Sequence, residues 1–139
     1  MSGKRKLQEF LDQKLEAHID KSFISSDPIS VPHLFRKKQD IEIAAFFAAI
    51  FAWGNRTTII TKSRELMEKM DMSPYDFCLH AGPGQLDNLR YFKHRTFNTD
   101  DLYYFIEFFR HHYSHHKSLE TAFLLGMENN DRNVENALI

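Results

Sequence analysis

Turn-forming residues are scarce in this chain, with five Gly and four Pro among 139 residues. That shortage argues against a fold of many tight hairpins and favours helices. There is one cysteine, Cys78, so an internal disulfide framework is excluded and a reducing, cytoplasmic setting is expected. Long apolar runs are also missing. The longest, Ile43 to Trp53, has eleven residues, whereas a membrane span needs about 20, so no membrane partner is expected. The basic start, Lys4-Arg5-Lys6, leads into no apolar core of the secretory kind. Charge of one sign is lacking overall, with a net of −1. That value hides a tilt: residues 1–70 hold twelve Lys/Arg and nine Asp/Glu, and residues 71–139 hold six and ten. The whole chain lacks the basic excess of a typical nucleic-acid footprint, but a local basic patch remains open.

What the chain has in quantity is phenylalanine, thirteen residues, and histidine, eight. Leu7, Phe10, Leu11, Leu15, Ile19 and Phe23 recur at helical spacing, which predicts a first helix over about Lys4–Phe23. Ser25-Ser26-Asp27-Pro28 ends it. Asp40 reads as the N-cap of a helix from Ile41 to about Trp53. That helix is apolar on every side, so it is expected at the centre of the fold. Gly54 ends it, and Asn55 caps the next helix, with Ile59, Ile60, Ser63, Leu66, Met67 and Met70 facing inward. Ser73-Pro74-Tyr75-Asp76 signals another helix start. A short helix is expected over Gln85–Phe92. Asn98 or Thr99 caps a helix that buries Leu102, Phe105, Ile106, Phe109 and Tyr113. A helix over Ser118–Met127 follows. A last one from Asn130 or Asp131 carries Val134, Ala137 and Leu138 and stops at Ile139 in mid-pattern. The expectation is an all-α orthogonal multi-helical fold of six to eight helices. Residues 1–139 form a single helical domain, read as the N-terminal fragment of a longer protein.

Three groups of residues carry chemistry. His111/His115 and His112/His116 are i,i+4 pairs that place imidazoles on common helical faces, a spacing that suits two zinc ligands. No further ligand is evident, and a polar helix end is the competing reading. Trp53-Gly54-Asn55-Arg56 puts a lone Trp at a helix exit beside a helix N-terminus. Arg56 and Lys62 offer charge for phosphate there, and Trp53 offers a ring to stack or wedge. Against this, Trp53 can simply plug the end of the core. The basic loops Arg36-Lys37-Lys38 and Lys93-His94-Arg95 can grip a backbone or merely be solvated. Tyr103, Tyr104 and Phe108 fall off the inner face of their helix and suit another helix, a missing C-terminal part of the same chain or, in a homo-oligomer, a second copy. Glu42 reads as compensation of a helix dipole and Cys78 as a small core residue. There is no Gly-rich phosphate loop, GxSxG, HExxH or CxxC pattern, so neither cofactor nor metal is expected.

Three segments taken together are specific: Asp27-Pro28 with Val31-Pro32-His33-Leu34-Phe35; Asp40 to Ala44 through Phe51-Ala52-Trp53-Gly54-Asn55-Arg56; and Arg95-Thr96-Phe97-Asn98-Thr99-Asp100-Asp101-Leu102. They resemble the domain of unknown function 2400 family, a bacterial family well represented in Bacteroidetes, and the likeness covers essentially the whole chain. The resemblance implies that this is the N-terminal part of a longer protein. The part downstream is similar to helix-hairpin-helix DNA glycosylases. Ala52 to Arg56, followed by an amphipathic helix, has a weaker likeness to the wedge loop of the same enzymes, with Trp53 where they often carry Gln. The implied function is DNA binding by a glycosylase-like protein, with Trp53 as wedge or stacker, Asn55 as cap, and Arg56 and Lys62 on phosphates. No catalytic residue carries over onto this chain. The rival readings are a helical protein-interaction or scaffold module and a metal-dependent enzyme built on the histidines.

Overall fold

The computed structural model describes residues 2–18, 24–125 and 127. Those residues are helical and contain no strand; their one β-type pairing is an isolated bridge between His94 and Phe97. The elements in order are α1 (Ser2–His18), 3-10 turns at Pro28–Ser30 and Pro32–Leu34, α2 (Lys38–Ile50), α3 (Arg56–Lys69), α4 (Pro74–His80), α5 (Pro83–Asp87), α6 (Thr99–His115) and α7 (Glu120–Leu124). None of these helices is long and apolar enough to cross a membrane.

The core forms where α2 meets α6. Ile43, Phe47 and Phe51 of the first and Leu102, Ile106 and Phe109 of the second are buried. Phe47 lies at its centre, with ring centroids 5.7 Å from Phe46, 5.8 Å from Phe51, 6.3 Å from Phe105 and 5.7 Å from Phe109. Most of these pairs are edge-to-face, the arrangement favoured by the ring quadrupole. The inner face of α3 supplies Ile59, Ser63, Leu66 and Met67, and Met70 follows at its C-cap.

Two local signals in the sequence are realised as read. The Asn55 side chain accepts from the Thr58 amide at 3.3 Å, capping α3. Asn98 and Asp101 exchange side-chain and backbone hydrogen bonds at 3.2 and 3.0 Å, a capping box at the head of α6.

Other expectations are corrected. Asp40 is not the N-cap of α2, which starts earlier, at Lys38, with Lys37 in the cap position. The Asp40 carboxylate instead accepts the Tyr75 amide at 2.9 Å, in the first turn of α4. It thereby performs the role assigned to Ser73, whose side chain makes no capping bond. Asp40→Ala is therefore expected to lower stability by about 1–2 kcal/mol, the cost of a lost helix cap. Denaturant melts of the variant test this, with Ser73→Ala as the near-neutral control.

α2 ends at Ile50, with Phe51 as C-cap, so Trp53 lies beyond it. Nor is α2 enclosed on every side. Ala45 and Ala49 are exposed, as is Ala52 just beyond the helix; alanine leaves little apolar surface in water there. The 85–92 helix is shorter than read and begins earlier, at Pro83–Asp87; the Gln85 side chain accepts the Gly82 amide at 3.1 Å. The helix read over Ser118–Met127 spans only Glu120–Leu124.

α1 is described over Ser2–His18; the reading of a helix onward to Phe23 falls on residues 19–23, which lie outside the described residues. Its stripe is on the surface: Leu7, Phe10, Leu11 and Leu15 are 54–59% exposed. Every described side chain of α1 is exposed, so no face of this helix is buried among the described residues. The last helix, from Asn130 or Asp131, also lies outside the described residues.

Candidate nucleic-acid interface

Two connections meet beside the exit of α2. The first is the turn from Phe51 to Asn55. Gly54 stands there at φ +92°, a backbone conformation that side-chain-bearing residues rarely adopt. The second is the tight turn from His94 to Phe97, closed by reciprocal backbone bonds of 2.9 Å each. Arg95 occupies its left-handed position, at φ 54°. Turns of this kind normally place Gly, Asn or Asp there, and a larger residue costs roughly 1–2 kcal/mol.

His94 locks the two connections together. It is buried, its Nε2 is 3.0 Å from the Phe51 carbonyl, and its ring lies 5.3 Å from that of Phe51. The reading of Lys93-His94-Arg95 as a uniformly basic surface loop is therefore corrected, because the middle residue is a core anchor. With His94 fixed, the Arg95 guanidinium lies over the backbone of Gly54. A Cβ built on Gly54 would fall 2.8 Å from the Arg95 Cζ, so a side chain there would displace the guanidinium, while the backbone conformation itself favours glycine.

Trp53 is 69% exposed, so it does not plug the core. It borders a cavity of about 440 Å3 whose other walls include Ile50, His94, Arg95, Phe97 and Asp101. Asn55 is occupied as a cap, as described above. Arg56, the first residue of α3, is exposed, and no ion pair involving it is formed among the described residues. Lys62 is placed differently. Its Nζ is 3.1 Å from the Glu65 carboxylate and 5.6 Å from the centre of the Phe92 ring. Trp53, Asn55 and Arg56 thus share one turn, while Lys62 is partly neutralised further along α3. Arg95 was visible in the sequence only as one cation among many. The signal that could have singled it out is a non-glycine residue in a two-residue turn.

The remaining candidates have structural partners. His112 is buried, with Nε2 2.8 Å from the Ser118 carbonyl. The His111–His115 and His112–His116 rings pair at 4.9 and 4.7 Å. Among the described residues no three His, Cys, Asp or Glu side chains gather as a metal set. Burial pushes the Cys78 thiol up to about 12, with Arg110 opposing and Asp40 adding to the shift, so the thiol stays protonated and is no nucleophile. Lys37 of the other basic loop lies 4.2 Å from the Tyr75 ring centre and 3.8 Å from the Asp76 carboxylate. Glu42 does more than face a dipole. Its Oε2 accepts from the Leu119 amide at 2.6 Å and from the Ser118 hydroxyl at 3.0 Å.

The fold and this turn define an all-helical domain with an aromatic and cationic surface notch. The chain belongs to the family described as "Protein of unknown function (DUF2400)", which matches residues 27–139. α1 precedes the matched region. Neither the curated proteins nor the solved structures contain a match to the chain.

Proposed function

We propose that this domain binds nucleic acid, specifically DNA, as the N-terminal part of a DNA-glycosylase-like protein whose catalytic segment lies outside this chain. Trp53 is the stacking or wedging residue, Asn55 orders the turn beside it, and Arg56 and Lys62 contact phosphates. The observation that carries this reading is Trp53 itself. It is a large aromatic left 69% in water, at a turn that also presents Arg56 at a helix N-terminus, with no ion pair formed by it among the described residues. Aromatic side chains stack on bases while arginines meet phosphates. Ion pairing reduces the share expected of Lys62 relative to Arg56.

Trp53 is the chain's single tryptophan, so its fluorescence reports this site alone. Titration with duplex and single-stranded DNA at low salt is expected to quench it. Affinity should fall as salt rises, with a slope near −0.9 per duplex phosphate contacted. Arg56→Ala should remove about one such unit, and Trp53→Ala should weaken binding whichever strand form is used, read by anisotropy of labelled DNA. Absence of binding by the chain at low salt refutes the reading.

A second reading, a helical protein-interaction module, has its own observation. The α1 stripe is exposed, as are Tyr104, Phe123, Leu124 and Leu125 on the other side of the chain's order. A salt-insensitive oligomer in light scattering, with no DNA binding, would favour it.

A further inference from the structure

The geometry points to an unpaired nucleobase of a single strand as the ligand of the Trp53 notch, with Arg95 as the residue that holds the adjoining phosphate. This rests on the nucleic-acid reading above and narrows it to one form of nucleic acid.

Four observations carry it. First, Trp53 does not stand on a convex tip; it borders a cavity of about 440 Å3, roomy enough for one base. Second, the cavity's lining combines half-buried apolar side chains, Ile50 and Phe97, with exposed charged ones, Arg95 and Asp101. A flat heterocycle with polar edges fits such a lining, and an extended rigid duplex does not enter it. The faces of paired bases are covered by their neighbours in the stack, so a ring bordering a notch can stack only on a base that has left its stack. Third, Arg95 is the cation of that lining. No ion pair involving it is formed among the described residues. Fourth, Arg95 keeps a left-handed backbone where glycine would be unstrained. That conformation, set by the buried His94, places the guanidinium over Gly54, immediately after Trp53 in the chain. The stacking ring and the phosphate donor thus stand side by side on two connections that the backbone holds together.

Asp101 lines the same cavity, and its carboxylate already accepts the Asn98 amide at 3.0 Å. It repels a phosphate placed beside it. The base is therefore expected toward Asp101 and the phosphate toward Arg95.

The test compares three probes by quenching of Trp53 in the full chain: an oligothymidylate, a relaxed circular duplex without ends, and thymidine monophosphate. The strand is expected to bind about tenfold or more tightly than either other probe at equal nucleotide concentration, the worth of one stacked base with its neighbouring phosphate. Arg95→Gly is expected to weaken the strand about tenfold and to reduce the salt slope by about 0.7. The same variant should melt no lower than the parent, because glycine relieves the left-handed backbone. A loss of binding therefore cannot be assigned to unfolding. Equal or tighter binding of the circular duplex overturns the single-strand inference and leaves DNA binding standing. Equal binding of the mononucleotide overturns the strand as ligand. Unchanged strand affinity in Arg95→Gly overturns the role of Arg95. If no probe binds, the nucleic-acid reading itself falls, and this inference falls with it.

Discussion

Phe47→Ala is expected to cost about 3–5 kcal/mol, a large fraction of the 5–15 kcal/mol that holds a typical domain together. Phe47 is fully buried, and its ring meets Phe46, Phe51, Phe97, Phe105 and Phe109 at centroid distances of 5.7 to 6.5 Å. Truncation removes one ring's transfer energy and all five contacts at once. The hole cannot close readily, because its walls are rings held by α2, α6 and the His94–Phe97 turn. Phe46→Ala should cost less, since Phe46 is only partly buried. Urea unfolding followed by far-ultraviolet circular dichroism measures both variants. Equal costs would show that the aromatic cluster is not centred on Phe47.

Glu42→Ala is expected to cost about 2–4 kcal/mol, because it deletes two hydrogen bonds to one charged acceptor and orphans an amide. The carboxylate reaches from α2 to the residues just before α7, accepting from Leu119 and Ser118. The nearby Gln39 amide donates to the Lys117 carbonyl at 2.8 Å, so the start of α2 holds this connection at two points. Glu42→Gln keeps an acceptor but loses the charge, and about half the cost is expected. The variant carries an internal reporter. Burial first, and the charge of Glu42 second, push the Tyr113 hydroxyl above its ordinary range. Tyr113 should therefore ionise at lower pH in Glu42→Ala than in the parent, followed by tyrosinate absorbance. An unchanged titration with unchanged stability would place Glu42 outside the structure's support.

Asn55 and Asn98 were readable in the sequence because a cap and its amide lie within one helical turn of each other. Leu102, Ile106, Phe109 and Tyr113 were readable for a similar reason, since helical spacing alone defines the face they share. Asp40 was misassigned because its partner, Tyr75, is 35 residues away. Aspartate ahead of an apolar run satisfies the local rule whether or not the bond is made there. The candidate site divides along the same line. Trp53, Asn55 and Arg56 are contiguous and were found together. Arg95 reaches them only because buried His94 holds a second connection against Phe51, and no local pattern encodes that meeting. The exposed stripe of α1 shows the complementary limit: spacing marks an apolar face, and only tertiary structure says whether anything rests on it.

Both ends of α4 are finished by other helices. Asp40 of α2 takes its first-turn amide, and Arg110 of α6 donates to the carbonyls of Cys78 and Ala81 at 2.7 and 3.0 Å. Seven residues make a helix far too short to persist alone in water. α4 therefore has no independent existence to fray from. Its amide protons should exchange with solvent through the opening that separates α2 from α6, at rates set by the most protected part of the molecule. A short surface helix of this length would ordinarily be among the first segments to exchange. Here it becomes a gauge of whether the two long helices remain together.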